Sequence, residues 1–154
     1  MKLRFAVFAA AALALAALPV FAAEATFERT LQVNGKVELT VSTGSGNIHI
    51  TRGSGTQVHI FGRVKSNWGS DSEGRVRDVA AHPPIEQTGN IIRIGGHHDN
   101  LHNISIDYEI QAPANAILQG NSGSGNITDD GVGESAKLGT GSGDIHASGL
   151  QGGF

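Results

Sequence analysis

A five-residue phrase occurs three times in this chain, and it constrains the fold more than any other feature of the sequence. The copies span Gly44–Ile48, Gly123–Ile127 and Gly141–Ile145, and each follows the pattern Gly-Ser-Gly-Asx-Ile. The last two copies begin 18 residues apart, about the length of one supersecondary unit. Glycine turns flanked by alternating apolar residues are typical of short β-strands, so the phrase predicts stacked strands joined by tight turns.

Apolar and polar residues alternate along most of the chain after Phe27. The alternation is clearest from Ile104 to Ile110, where every second residue is apolar. A period of two predicts strands with one buried face. Aromatic residues make up only 5% of the chain, which favours a narrow core of Ile, Val and Leu. We therefore predict an all-β fold, a β-solenoid or β-helix-like stack.

Each residue of the phrase has a predicted structural role. Equivalent positions of stacked units lie about 4.8 Å apart, so each Asx side chain is expected to bond its neighbour while the following Ile enters the core. The glycines are expected to permit positive φ in the turns. Asn90 and Asn103 also precede an Ile and are given the same role as the Asx of the phrase. The predicted structural repeat residues are Gly44, Gly46, Asn47, Gly123, Gly125, Asn126, Gly141, Gly143 and Asp144.

One segment, from Asp71 to Ala81, departs from the period of two. Val76, Val79 and Ala80 would share one side of a short helix, and the following pair of prolines would end it. A loop is the alternative interpretation.

The N-terminal residues 1–25 have the layout of a secretory signal peptide. Lys2 and Arg4 precede an Ala- and Leu-rich run, and small residues allow cleavage after Ala22 or Ala25. An uncleaved membrane anchor is the alternative, since the run is nearly long enough to span a bilayer. With cleavage, residues 26–154 form one exported domain that has no transmembrane segment.

Composition excludes several classes of partner and linkage. The chain has no cysteine, so neither a disulfide framework nor a Cys-linked lipid anchor is available. The formal net charge is −3, and basic residues are not clustered. Nucleic-acid binding is therefore not expected.

Neither enzymatic chemistry nor a cofactor is predicted. The glycine turns lack the Lys-Ser/Thr of a phosphate-binding loop, and no Gly-x-Ser-x-Gly nucleophile motif occurs. Asp107 and Glu109 share the outward face of one strand, where we expect solvated carboxylates with ordinary pKa values. Asp129, Asp130 and Asp144 are too few for a dedicated calcium site.

Three histidines form the candidate metal site. His97, His98 and His102 lie within six residues of one another, with Asp99 as a further ligand. Imidazoles suit zinc or copper where they converge. Neighbouring side chains point apart in an extended chain, so a polar, solvated loop is the alternative interpretation.

The chain resembles the putative-adhesin β-strand-repeat family, a group of bacterial envelope domains of unknown function. The resemblance is carried by residues 43–50, 106–113 and the paired phrases of residues 122–127 and 141–145. It implies a solenoid-like, extracytoplasmic domain without catalytic residues. Members of the family continue through further repeats, whereas this sequence stops at Phe154 without a cap. Truncation is therefore expected, and the alternative is an end that meets another chain.

The predicted function is that of an exported, non-enzymatic domain in the periplasm or at the cell surface, acting as an adhesin or scaffold. Its partner would be a component of the envelope or of a cell surface. Two alternatives remain open. One is a periplasmic binder of metal or a small ligand through the loop from His97 to His102, and the other is an envelope-stress regulatory module.

Overall fold

The computed structural model describes residues 23–66, 71–96 and 101–151. These residues form eleven β-strands and one α-helix, α1 (Ser72–Ala81). The strands are β1 (Glu24–Gln32), β2 (Glu38–Thr43), β3 (Ile48–Arg52), β4 (Gln57–Ser66), β5 (Ile85–Thr88), β6 (Ile91–Gly95), β7 (Ile104–Ala112), β8 (Ile117–Ser122), β9 (Ile127–Asp130), β10 (Ser135–Thr140) and β11 (Ile145–Ser148).

The strands form two mixed sheets that do not close on themselves. Sheet A has the order β1-β4-β7-β3-β9-β11, and sheet B has the order β10-β8-β2-β6-β5. In sheet A, β1, β4 and β7 pair antiparallel, and the pairs from β7 to β11 are parallel. In sheet B only β5 is antiparallel. The all-β prediction is confirmed, whereas the continuous coil of a solenoid is not shown.

The parallel strands belong to four units, each made of a sheet B strand followed by a sheet A strand. Unit 1 is β2 and β3, unit 2 is β6 and β7, unit 3 is β8 and β9, and unit 4 is β10 and β11. Both sheets place them in the spatial order 2-1-3-4. Unit 1 therefore lies between units 2 and 3, although it comes first in the chain.

The predicted inward residues form one core between the sheets. Ile106, Tyr108 and Ile110 of β7 are at most 3% exposed. Gly62 faces inward on β4, and the ring of Phe27 fills the space that a side chain would take, since a Cβ there would lie 2.1 Å from Phe27 Cζ. The outcome differs at the end of the stack, where Ile145 is 44% exposed because β11 is an edge strand. The prediction that Ile145 enters the core is therefore wrong.

The segment without β periodicity is helical, which confirms the first of the two interpretations. Val76 and Val79 are buried, and α1 packs against β1 and β4. Asp71 flanks the helix start but makes no side-chain capping bond. A proline cannot donate the backbone hydrogen bond that another turn would need, so the helix ends before Pro83.

Candidate binding surface

The first residue of each glycine turn links one unit to the next through its hydroxyl. Ser122 Oγ donates to the carbonyl of Gly46 at 2.9 Å and accepts the backbone N–H of Gly125 at 2.9 Å. Thr43 and Thr140 make the equivalent pairs of bonds in units 1 and 4. Each hydroxyl therefore closes its own turn and bonds the unit that comes before it in the spatial order 2-1-3-4. These bonds fix the position of each turn above its neighbour.

The Asx residues form a second series of bonds, which we call the Asx ladder (Asp107, Asn47, Asn126 and Asp144). The side-chain oxygen of each accepts the backbone N–H of the next, at 2.9 Å in all three steps. Asn90 instead accepts the N–H of Asn34, and Asn103 takes a left-handed φ of 61° in the loop before β7. The predicted Asx bond therefore holds at Asn47 and Asn126, and Asp107 takes the same position in unit 2. Asp144 ends the ladder, where it donates only its backbone N–H.

None of the phrase glycines has a positive φ, which corrects the sequence prediction, and all but Gly44 serve close packing between units. Positive φ occurs at other glycines, among them Gly89, Gly95 and Gly96. At Gly125 a Cβ would lie 1.9 Å from the carbonyl oxygen of Gly46, and at Gly143 it would lie 2.1 Å from that of Gly125. Such distances are far inside van der Waals contact, so only glycine allows the units to stack this closely.

The strands that carry these turns hold the outer face of sheet A in register. One cross-strand row consists of Glu28, Phe61, Glu109, His49, Thr128 and His146. The next row consists of Thr30, His59, Gln111, Thr51, Asp130 and Ser148. Since alternate residues of a strand face opposite sides, both rows lie on the face turned away from the core.

A shallow groove of about 330 Å³ crosses the middle of these two rows, and we call it the Phe61 groove. Its lining includes His49, Thr51, His59, Phe61, Glu109 and Gln111. The ring of Phe61 is partly exposed, in contrast to the buried ring of Phe27.

Two histidine–carboxylate pairs flank the Phe61 groove. His59 Nε2 lies 2.6 Å from Glu28 Oε1, and His49 Nε2 lies 3.1 Å from Asp130 Oδ2. The pKa of Asp130 is lowered, first by its hydrogen bond with His49 and then by that with Ser148. The pairing with a carboxylate fixes the orientation of each imidazole, so the two histidines form defined walls of the groove.

The carboxylates predicted to be solvated differ in their environments. Burial alone would raise the pKa of Asp107, but hydrogen bonds from Lys65, at 2.6 Å, and from the Asn47 N–H lower it below its ordinary value. The prediction of an ordinary pKa is therefore wrong for Asp107.

Asp129 faces the core and Asp130 faces solvent, so this adjacent pair does not converge on one ion.

Asp129 carries a buried carboxylate that takes part in neither the hydroxyl bonds of the turns nor the Asx ladder. It is fully buried, its Oδ1 accepts the N–H of Val132 at 3.1 Å, and its Oδ2 has no partner among the described residues. Desolvation raises its pKa to about 6, and the neighbouring Asp130 adds to the rise.

A second cavity, of about 380 Å³, lies between the sheets where the loop before β7 replaces a glycine turn. Its lining includes Thr43, Leu101, Ile106 and Tyr108. The Tyr108 hydroxyl has no hydrogen-bond partner in the described part of the chain, and burial raises its pKa.

The predicted metal site is described only at one of its three histidines. His97 and His98, with Asp99, lie outside the described residues. His102 is exposed, and its backbone carbonyl accepts a bond from Arg75 Nη2 at 2.6 Å. Within residues 23–66, 71–96 and 101–151, no three His, Cys, Asp or Glu side chains are placed to hold a metal ion. Metal binding by His97, His98 and His102 stays a prediction.

The Phe61 groove was not predicted from the sequence. Phe61, His49 and Glu109 are far apart in the sequence and meet through the pairing of β4, β7 and β3. The available signal was weak, namely an aromatic residue at a polar position of an alternating strand. Recognising the groove also required the register between strands.

Comparisons with known proteins give partial structural likeness and no sequence family. No family model matches the chain, and no curated protein matches it. A putative cell adhesion protein from Clostridium sporogenes aligns with 77% of this chain and 59% of its own, with a TM-score of 0.46 and 16% identity. A putative adhesin from Bacteroides fragilis aligns with 79% of this chain and 61% of its own, with a TM-score of 0.32 and 14% identity. The chain thus spans about three fifths of each, and membership in the adhesin-like family stays a prediction.

Proposed function

We propose that the chain is an exported, non-enzymatic domain of the bacterial envelope or cell surface, which acts by presenting the outer face of sheet A to a partner. Adhesion is the primary role and scaffolding the broader one. The observation that carries the proposal is the Phe61 groove, a site with a partly exposed aromatic residue on a broad face that is held in register by stacked units. In this proposal the four parallel units are a short solenoid that serves as a rigid support.

Rigidity supports a binding role because a preorganised surface loses little entropy on association. The hydroxyl bonds of the turns and the Asx ladder run through successive units at distances of 2.8 to 2.9 Å between units. Phe61 itself lies on β4, which pairs on both sides, with β1 and β7. The groove therefore lies inside the sheet, where its side chains keep fixed spacing.

A binding assay with face-specific variants tests this proposal. Fluorescent microspheres coated with residues 23–154 would be applied to intact bacterial cells and to mucin-coated surfaces. We expect attachment, a marked loss with Phe61→Lys, and no loss with Gln119→Lys, which changes an exposed residue of β8 in sheet B. Equal attachment by all three proteins, or no attachment to either surface, would contradict the proposal.

Export makes a separate prediction about the start of the mature chain. The Ala23 carbonyl accepts the N–H of Ser66 at 3.1 Å, and Ala25 pairs with Val64. Cleavage after Ala22 keeps both contacts, whereas cleavage after Ala25 removes the first residues of β1. N-terminal sequencing of the protein from fractionated cells should therefore give Ala23 as the first residue. A first residue of Thr26 would contradict this, and Met1 in the membrane fraction would support the anchor.

A helix able to cross a membrane is absent from the described residues, since none combines sufficient length with sufficient apolar character.

A second candidate function is the binding of a small ligand near the loop that contains His102. The observation in its favour is the cavity of about 380 Å³, whose lining includes Leu101 and Tyr108, the latter with a hydroxyl group that has no partner among the described residues. Calorimetric titration with zinc and with copper tests the metal version of this function. Heat that disappears in the His97→Ala/His98→Ala double variant would support it, and absence of heat at micromolar metal would remove it.

A further inference from the structure

We propose that the Phe61 groove binds the ring of an uncharged sugar. This inference rests on the proposed function and names the chemical class of its ligand. It is carried by three properties of the groove, namely its mixed apolar and polar lining, its negative surroundings and its position within the sheet.

The lining suits a ligand that has both an apolar face and hydroxyl groups. Phe61 offers a partly exposed ring at the centre of the groove. Glu109 lies directly across from it on β7, and Gln111 lies across from His59 in the next row. A carboxylate accepts hydrogen bonds and a carboxamide both donates and accepts, so the two side chains can bond vicinal hydroxyls. A sugar ring has such hydroxyls around its rim and C–H groups on its face.

These polar groups are free to bond a ligand. The side chains of Glu109, Gln111 and Thr51 have no hydrogen-bond or ion-pair partner among the described residues. In contrast, His59 and His49 are already paired with Glu28 and Asp130. The groove thus combines fixed walls with unengaged donors and acceptors, an arrangement typical of sites that orient a small ligand. Its volume of about 330 Å³ is within the range of such sites.

The charge around the groove disfavours an anionic ligand. Three carboxylates, those of Glu28, Glu109 and Asp130, lie in its lining or pair with its histidines. No Lys or Arg is among the described lining residues. Arg63 lies two residues from Phe61 on the same face of β4, but it is paired with Glu24 at 3.1 Å. Sialic acids, uronic acids and phosphates would therefore meet like charge without an unpaired cation in the described lining, whereas a neutral sugar would not.

The position of the groove disfavours a peptide strand as its occupant. Extended peptides bind sheets by adding a strand to an unpaired edge. The groove lies over β4, β7 and β3, and each of these strands has a neighbour on both sides. A peptide there would have to bind through side chains alone, without the main-chain bonds that give strand addition its affinity.

Titration of the whole protein with defined sugars tests the inference. The probes are lactose, maltotriose and N,N′,N″-triacetylchitotriose as neutral ligands, sialyllactose as an anionic ligand and an alanine-rich peptide as a control. The binding site is located by nuclear magnetic resonance of isotope-labelled protein, from shifts at Phe61, His49 and Gln111. We expect at least one neutral sugar to shift these signals at about 10 mM or below, with sialyllactose weaker than lactose.

Matched variants separate the groove from the rest of the face. Phe61→Ala should lower the affinity for the neutral sugar at least about tenfold, and Gln111→Ala should lower it about threefold or more. Gln119→Ala, on the other sheet, should leave affinity unchanged. Glu109→Gln keeps the shape of the side chain and removes one negative charge. It should therefore reduce the difference in affinity between lactose and sialyllactose.

Several results would overturn the inference. These are the absence of groove shifts with every neutral sugar, equal or tighter binding of sialyllactose, tighter binding of the peptide, or unchanged affinity in Phe61→Ala that is folded by circular dichroism. The two proposals fail in different ways. If coated microspheres attach in a manner that depends on Phe61 while no sugar binds, the surface role stands and the sugar class is wrong.

Discussion

Two glycines from different copies of the turn phrase, Gly44 and Gly125, differ in what lies beside them. A Cβ at Gly125 would lie 1.9 Å from a backbone carbonyl oxygen, whereas a Cβ at Gly44 would meet nothing within 4 Å. Neither residue has the positive φ that penalises other side chains. The requirement for glycine is therefore set by the adjacent unit and not by the turn itself.

Gly125→Ala should accordingly destabilise the protein by about 3 kcal/mol or more, because the new methyl group forces units 1 and 3 apart. Gly44→Ala is the matched control and should change the unfolding free energy by less than about 1 kcal/mol. Urea denaturation of both variants measures the difference. Equal effects would mean that turn conformation, and not the spacing of units, requires these glycines.

The buried carboxyl group of Asp129 should make stability depend on pH. Its pKa is 3.8 in a model peptide and about 6 in the fold, so the folded state binds the proton more tightly than the unfolded state. The contribution of Asp129 to the free energy of unfolding therefore grows as pH falls from about 6 towards 4. It is lost as pH rises through 6. Two pKa units correspond to about 3 kcal/mol.

Asp129→Asn removes this charge and keeps the acceptor for Val132. The variant should be more stable than the wild type at pH 7, and the difference should shrink towards zero near pH 4. Thermal unfolding at intervals of one pH unit measures the difference. A difference that does not vary with pH would show that the carboxyl group titrates normally in the fold.

At the scale of elements, position in the stack decides which phrase residues are buried. Ile127 of unit 3 is 0% exposed, and Ile145, its equivalent in unit 4, is 44% exposed. The two residues are paired in register between β9 and β11. The difference arises because unit 3 has a neighbour on both sides and unit 4 has one.

Ile127→Asp should therefore cost about 3 kcal/mol or more, since it buries a charge without a partner. Ile145→Asp should cost less than about 1 kcal/mol in the isolated protein. Denaturation midpoints of the two variants provide the comparison. A large cost at Ile145 would indicate that β11 is covered in solution.

Sequence periodicity predicted the faces of the strands but not their neighbours. The inward positions of β7 followed from a period of two, which depends only on local backbone geometry. Glycine phrases predicted turns correctly, although the physical reason for the glycines was different. The pairing of His49 with Asp130, and of Phe61 with Glu109, depends on long-range register that no local pattern contains. The Phe61 groove therefore could not be predicted from the sequence.

At the scale of the whole molecule, the order 2-1-3-4 places the first unit in the interior. Strands β3 and β7 each have two neighbours in sheet A, whereas β11 has one. Backbone amides with bonded neighbours on both sides open less often. Hydrogen exchange followed by mass spectrometry should show β3 and β7 exchanging more slowly than β11. Strong protection of β11 would reveal a partner at this edge.

The two ends of the stack also differ in how they could change during evolution. Beyond unit 2, antiparallel strands continue both sheets, and α1 packs on two of those strands. At the other end, Thr140 and Asp144 of unit 4 belong to the same hydroxyl and Asx series that joins the interior units. Duplication of an 18-residue segment there would add a unit with matching bonds and leave β4 and β7 untouched. The length of such a molecule can thus vary independently of the ligand preference of its Phe61 groove.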